Sequence, residues 1–260
     1  MLRPRIIPCL LVRDGGLVKT VRFGEQKYVG DPVNAVRIFN EKEVDELLVL
    51  DIDATTCGRE PDYRLIENVA AESRMPLCYG GGIKAVDQAR RIIGLGVEKV
   101  AISSAAVAHP PLVAAIAEQL GAQSVVVVAD VKRSRGGRYE VFTHNGRTRS
   151  GRTLEEFILE VQRLNAGEIV VNSVDHDGCM KGYDLDAARA ARKVTTVPLT
   201  ILGGAGKLSD LQRLISEFGV IGAAAGSLFV FKGIYKAVLI NYPSHEEREQ
   251  LIQAMRGAPN

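Results

Sequence analysis

The chain repeats itself. ELLVLDIDAT, from Glu46, returns as EIVVNSVDHDG, from Glu168. YGGGIK (Tyr79 to Lys84) returns as LGGAGK (Leu202 to Lys207), and KVAISSAAV returns as VIGAAAGSLFV, each after about 122 residues. Each copy reads as four strand-helix units. The strand candidates are RIIPCLL, ELLVLDID, PLCYGG, KVAISS, SVVVVAD, EIVVNSVD, PLTILGG and VIGAAAG. Amphipathic stretches such as DPVNAVRIFNEKEV, VDQARRIIGLG and TLEEFILEVQRLNAG separate most of them. Near-continuous apolar strands joined through helices imply a parallel sheet buried on both faces. Eight such units in 260 residues imply an α/β fold, a (β/α)8 TIM barrel. An open doubly wound sheet is the alternative. The barrel is expected as one domain over 1–260, with half-barrels at approximately 1–122 and 123–245 and a C-terminal helix over 244–256. KRSRGGRYEVFTHNGRTRSGRT interrupts the pattern and reads as a basic hairpin inserted after the fifth strand.

The duplication also exposes a mismatch. RIIPCLLVRDGG (Arg5 to Gly16) and SVVVVADVKRSRGG (Ser124 to Gly137) align so that Leu11 lies over Asp130 and Arg13 over Lys132. One copy ends its strand on a carboxylate and the other on an isobutyl group.

Composition narrows the function classes. A net charge of +2 gives no global case for nucleic acid or an anionic membrane surface. No apolar run approaches the ~20 residues of a membrane span. The apolar run near the N-terminus is too short for a signal peptide and holds Pro8, so it reads as the first strand. Cys9, Cys57, Cys78 and Cys179 form no Cys-x-x-Cys pair and are expected as free thiols in a reducing compartment, the cytoplasm. The four histidines show no metal-ligand spacing, so neither a metal nor another cofactor is expected.

In a barrel of this kind the site lies at the C-terminal ends of the strands. Those ends carry Asp51, Asp53, Asp130, Asp175 and Asp177. Asp51, Asp53 and Asp175 read equally well as helix caps or loop anchors. The turn Gly80 to Gly82 is followed by Ser103 and Ser104, and Gly203 to Gly206 by Gly226 and Ser227. Glycines let backbone N–H groups approach an anion, and two repeat-related turns predict two phosphate sites across the mouth. The ligand expected is a small molecule phosphorylated at both ends. At the opposite face, Arg5, Glu46, Lys99 and Glu168 stand at strand starts, alternate in sign and sum to zero. They read either as ordinary flanking charges or as a paired ring closing the barrel's bottom.

These residues resemble a known family over nearly the full chain. The matching pieces are PRIIPCLLVRDGG, VGDP, DELLVLDI, GGGI, ADVK around Asp130, AGEI, SVDHDGCMKGYD and GGAGK. They resemble the cyclase subunit of imidazole glycerol phosphate synthase. The resemblance implies a two-half-barrel lyase that takes ammonia through the barrel from a glutaminase subunit docked on its N-terminal face as a heterodimer. It implies cyclisation of a bisphosphorylated ribonucleotide to imidazole glycerol phosphate and aminoimidazole carboxamide ribonucleotide, a step of histidine biosynthesis. Carried over by position, the general acid falls on Asp130, a loop lysine on Lys19 and an assisting aspartate on Asp177. The phosphate contacts fall on Gly81, Gly82, Ser103, Ser104, Gly203, Gly204, Gly226 and Ser227, with Ser103-Ser104 replacing the family's Asn-Thr. The ammonia gate falls on Arg5, Glu46, Lys99 and Glu168. The departure is Leu11, where the family keeps its second catalytic aspartate.

PCLL, KYVGDP, IFNEKEVDEL, CYGGGIK, AAGSLFVFKG and AVLINYP resemble a paralogue branch. In that branch the cyclase-like and glutaminase-like chains accompany a sugar amidotransferase of lipopolysaccharide or O-antigen synthesis. Two functions are therefore carried forward: an active cyclase subunit, and a cyclase-impaired barrel that activates a glutaminase and conducts ammonia to another acceptor. A sugar-phosphate isomerase on a related scaffold is a third reading, and it gives no reason for the charged ring.

Overall fold

The computed structural model describes residues 3–256. Eight parallel strands close on themselves. They are β1 (Arg5–Arg13), β2 (Leu47–Asp51), β3 (Leu77–Gly80), β4 (Lys99–Ile102), β5 (Val125–Arg133), β6 (Glu168–Ser173), β7 (Leu199–Leu202) and β8 (Gly222–Ala225). Each pairs with the next, and β8 pairs with β1, so the barrel replaces the open-sheet alternative. No helix among the described residues is long and apolar enough to cross a membrane.

The apolar strands serve two cores. Along β1, Ile7 and Cys9 face the barrel interior, while Ile6, Leu10 and Val12 face the surrounding helices. The interior packs Ile7, Leu48, Val126, Val128, Val170 and Leu202. The outer core receives the helices, including α1 (Pro32–Glu41) through Phe39 and α5 (Leu154–Arg163) through Phe157. Here α2 is Tyr63–Glu72, α3 Val86–Gly94, α4 Pro111–Leu120, α6 Leu185–Arg192, α7 Leu208–Phe218 and α8 His245–Arg256. Helix starts are set by sequence: the Asp31 side chain accepts from the Asn34 N–H ahead of Pro32, and Thr153 pairs reciprocally with Glu156.

The inserted hairpin after β5 is present, as strands Tyr139–Thr143 and Thr148–Thr153. The sequence reading missed its counterpart. After β1, strands Gly16–Thr20 and Gln26–Gly30 form a second hairpin, paired to the extension of β1 through Leu11 and Val18. Lys19 therefore sits on a strand folded back over the barrel mouth.

Candidate functional site

A cavity of about 420 Å³ occupies the mouth. Asp130, Lys19, Asp177 and Leu11 all border it, as do the two glycine turns with Ser103, Ser104, Gly226 and Ser227. Asp51 and Asp53 border it too, whereas Asp175, also singled out at a strand end, does not.

Asp130 stands beside Asn172 of β6 in strand register. Its carboxylate accepts from Asn172 Nδ2 at 2.9 Å and from Ser103 Oγ at 3.2 Å. Burial pushes its carboxyl up to about 6, against the pull of these two hydrogen bonds. A carboxyl near 6 exchanges protons in the neutral range. A carboxyl raised in the folded state costs stability once it ionises. Asp130→Asn is therefore expected to gain stability over the native chain as pH rises from about 4, the unfolded value, to about 6, and to keep a constant gain above. Melting curves at pH 4, 6 and 8 check this; a gain that is the same at all three would rule out the buried carboxylate as its source.

Asp177 accepts from Thr20 Oγ1 at 2.8 Å and from the Phe23 N–H at 3.4 Å, which ties the first hairpin to the mouth. Burial raises its carboxyl as well. Lys19 is 6% exposed and donates to the Cys9 carbonyl at 2.6 Å. Burial lowers its ammonium below the ordinary lysine value.

The bland readings hold for two of the other aspartates. Asp51 accepts from the N–H groups of Asp53 and Ala54, and Asp175 accepts from the Arg133 N–H. Asp53 pairs with Arg13 Nε at 2.5 Å. The glycine turns border the cavity, and the packing around them gives glycine a reason of its own. A Cβ on Gly81 would meet the Asp51 carbonyl at 2.6 Å, and one on Gly204 would meet the Gly182 carbonyl at 2.1 Å. Both have positive φ, +127° and +105°. Close packing between neighbouring loops demands glycine here before any ligand is considered.

At the other end the four charges form one ring. Arg5 Nη1 donates to Glu46, and Arg5 Nη2 donates to Glu168 at 2.7 Å. Lys99 Nζ donates to Glu46 at 2.7 Å and to Glu168 at 2.9 Å. Thr200, unnoticed in the sequence, donates to Glu168 at 2.7 Å. Glu168 stays ionised below its ordinary value because Arg5, Lys99 and Thr200 outweigh its burial. Lys99 is raised, since its two carboxylates outweigh the burial that opposes charge. The four cysteines are free thiols. Cys9 and Cys78 lie in the interior between ring and mouth, and burial pushes Cys9 up to about 12.

Residues 5–236 match the sequence profile described as "Histidine biosynthesis protein". The chain belongs to this family. Within it the chain is of the cyclase-subunit type. A Leptospira borgpetersenii protein named "Putative imidazole glycerol phosphate synthase subunit HisF" is 56% identical over 252 residues, 96% of this chain and 99% of that one. A Vibrio vulnificus protein named "Putative imidazole glycerol phosphate synthase subunit hisF3" is 57% identical over 254 residues, 97% and 98% of the two chains. A Natranaerobius thermophilus "Imidazole glycerol phosphate synthase subunit HisF" is 39% identical over 246 residues, 95% and 98% of the two chains. The match thus covers all eight strands of the barrel.

Proposed function

We propose that this chain is the cyclase-type subunit of an ammonia-using complex of the imidazole glycerol phosphate synthase kind. A glutaminase subunit docks on the N-terminal face. Ammonia passes the ring and the apolar interior, and meets a ligand with two phosphates at the mouth. The observation that supports this is axial order: a closed ring of two cations and two carboxylates, then an apolar interior, then an acid and two glycine turns. Neutral ammonia can cross such an interior, whereas an ion would lose its hydration without replacement.

Position 11 favours a narrower version. Leu11 packs, half-buried, against the apolar interior where the repeat supplies Asp130. An isobutyl group moves no proton, so the ordinary cyclisation runs slowly in this chain. Ammonia then serves a different acceptor, for which a sugar amidotransferase is the reading the paralogue resemblance supplies. Turnover of the bisphosphorylated ribonucleotide by the purified chain with ammonium salts tests the two versions. Wild-type cyclase rates would establish the first; background rates alongside stimulated glutamine hydrolysis by the partner would establish the second.

Both versions need the two anion sites. Crystals soaked in phosphate are expected to show density near Gly82 with Ser104 and near Gly204 with Ser227. Ordered loops with density at neither would remove the two-phosphate ligand.

A further inference from the structure

We propose that Lys19 is a nucleophile whose amine forms a Schiff base with a phosphorylated ketone or aldehyde held in the mouth. This deepens the function proposed above and rests on its phosphate sites. The chain buries a lysine at each end of the barrel, and the two environments are opposite. Lys99 lies between two glutamates that hold its proton. The hydrogen-bond partner of Lys19 among the described residues is a neutral carbonyl, that of Cys9. Of the carboxylates bordering the mouth, Asp130 is engaged with Asn172 and Ser103, Asp51 with the Asp53 and Ala54 N–H groups, and Asp53 with Arg13. Asp177, held by Thr20 and the Phe23 N–H, attracts the Lys19 ammonium without forming an ion pair with it, and burial outweighs that attraction. A buried ammonium without an ion pair is costly, and the cost is relieved by releasing the proton. The direction of the Lys19 shift agrees. A neutral amine is the form that attacks carbonyl carbon.

Position supports the same chemistry. Lys19 borders the cavity together with Gly226, the turn assigned to one phosphate, and a Cβ there would lie 2.5 Å from its Nζ. A phosphate at that turn brings the adjoining carbons of its ligand towards the amine. The lysine nitrogen bonds to the carbonyl carbon, and the carbonyl oxygen leaves as water, giving an imine. Ammonia from the barrel then adds to the imine carbon. The Lys19 amine leaves with a proton, and the ligand departs as the unsubstituted imine. Asp130 is the nearby group able to give and take a proton near neutral pH. Ammonia attacks a protonated imine more readily than a ketone, so Lys19 offers a route that does not need an aspartate at position 11.

The test uses dihydroxyacetone phosphate, a small phosphorylated ketone, with sodium borohydride and peptide mapping by mass spectrometry. Binding of the probe is followed separately by ligand-observed NMR. The expected result is one reduced adduct on Lys19, suppressed by inorganic phosphate. Lys19→Met keeps the length of the side chain and, like the released amine, carries no charge; it cannot form an imine and is expected to abolish the adduct while still binding the probe. A probe that binds without marking Lys19 overturns the Schiff base and leaves the phosphate sites standing. Adducts confined to surface lysines overturn it as well. A probe that does not bind overturns both readings.

Discussion

Leu11→Asp is expected to raise ammonia-dependent cyclisation of the bisphosphorylated ribonucleotide by ~10²–10⁴-fold, the usual contribution of one general acid or base. The site around position 11 is otherwise built. Asp130 is held by Asn172 and Ser103, and Asp177 by Thr20 and the Phe23 N–H. Leu11 borders the same cavity and is half-buried, so a carboxylate there would reach solvent at the mouth rather than replace a core side chain. Strand register with Val18 and Leu50 fixes its direction. The measurement is product formation against ammonium concentration for both chains, with melting curves and phosphate binding as controls. A folded, phosphate-binding variant that stays at background would show that position 11 is not what limits the reaction.

Much of this site was legible because the barrel repeats. Asp130 follows five apolar residues, which places it at a strand's C-terminal end without any further information. The ring was legible for the same reason: each charge stands just before or at the start of an apolar strand, so four separate strands deliver it to one level. Thr200 and Asn172 were not legible. A threonine in PLTIL and an asparagine in VVNSV are ordinary strand residues, and their roles appear only when β7 stands beside β6, and β6 beside β5. Lys19 was placed by resemblance alone. Its hairpin depends on pairing with the extension of β1, and GLVKT is too short to declare a strand by alternation. The glycine turns show a different limit. Sequence put them at strand ends, where they border the cavity, but the contacts that require glycine come from neighbouring loops, such as that of Gly182 against Gly204.

Lys99→Ala is expected to alter the passage through the barrel while leaving the mouth intact. Glu46 and Glu168 are side chains only 6% exposed, and each loses a donor that lies within 3 Å. Removing one partner of a deeply buried pair costs roughly 3–5 kcal/mol. Arg5 remains for both carboxylates, and its side chain is 28% exposed and that of Lys99 18%, so solvent screening reduces the loss to about 1–3 kcal/mol. At about 2–4 °C per kcal/mol for a chain of this size, the midpoint falls by several degrees. The pH dependence identifies the source. Glu168 has a lowered folded value, so its contribution is full above the unfolded carboxyl value of about 4.3 and is lost as pH falls through the folded one. Lys99 has a raised folded value, so its contribution is full below about 10.4 and is lost as pH rises through the folded one. The gap between wild type and Lys99→Ala should therefore be widest between these limits and close on both sides. In the reconstituted complex the same variant is expected to lower aminated product per glutamine consumed, because the ring no longer closes around the entering ammonia. Lys99→Met fills the space without the charge and separates packing from pairing. A stable variant with an unchanged ratio would leave the four residues as a structural ion-pair ring, with ammonia reaching the mouth by another path.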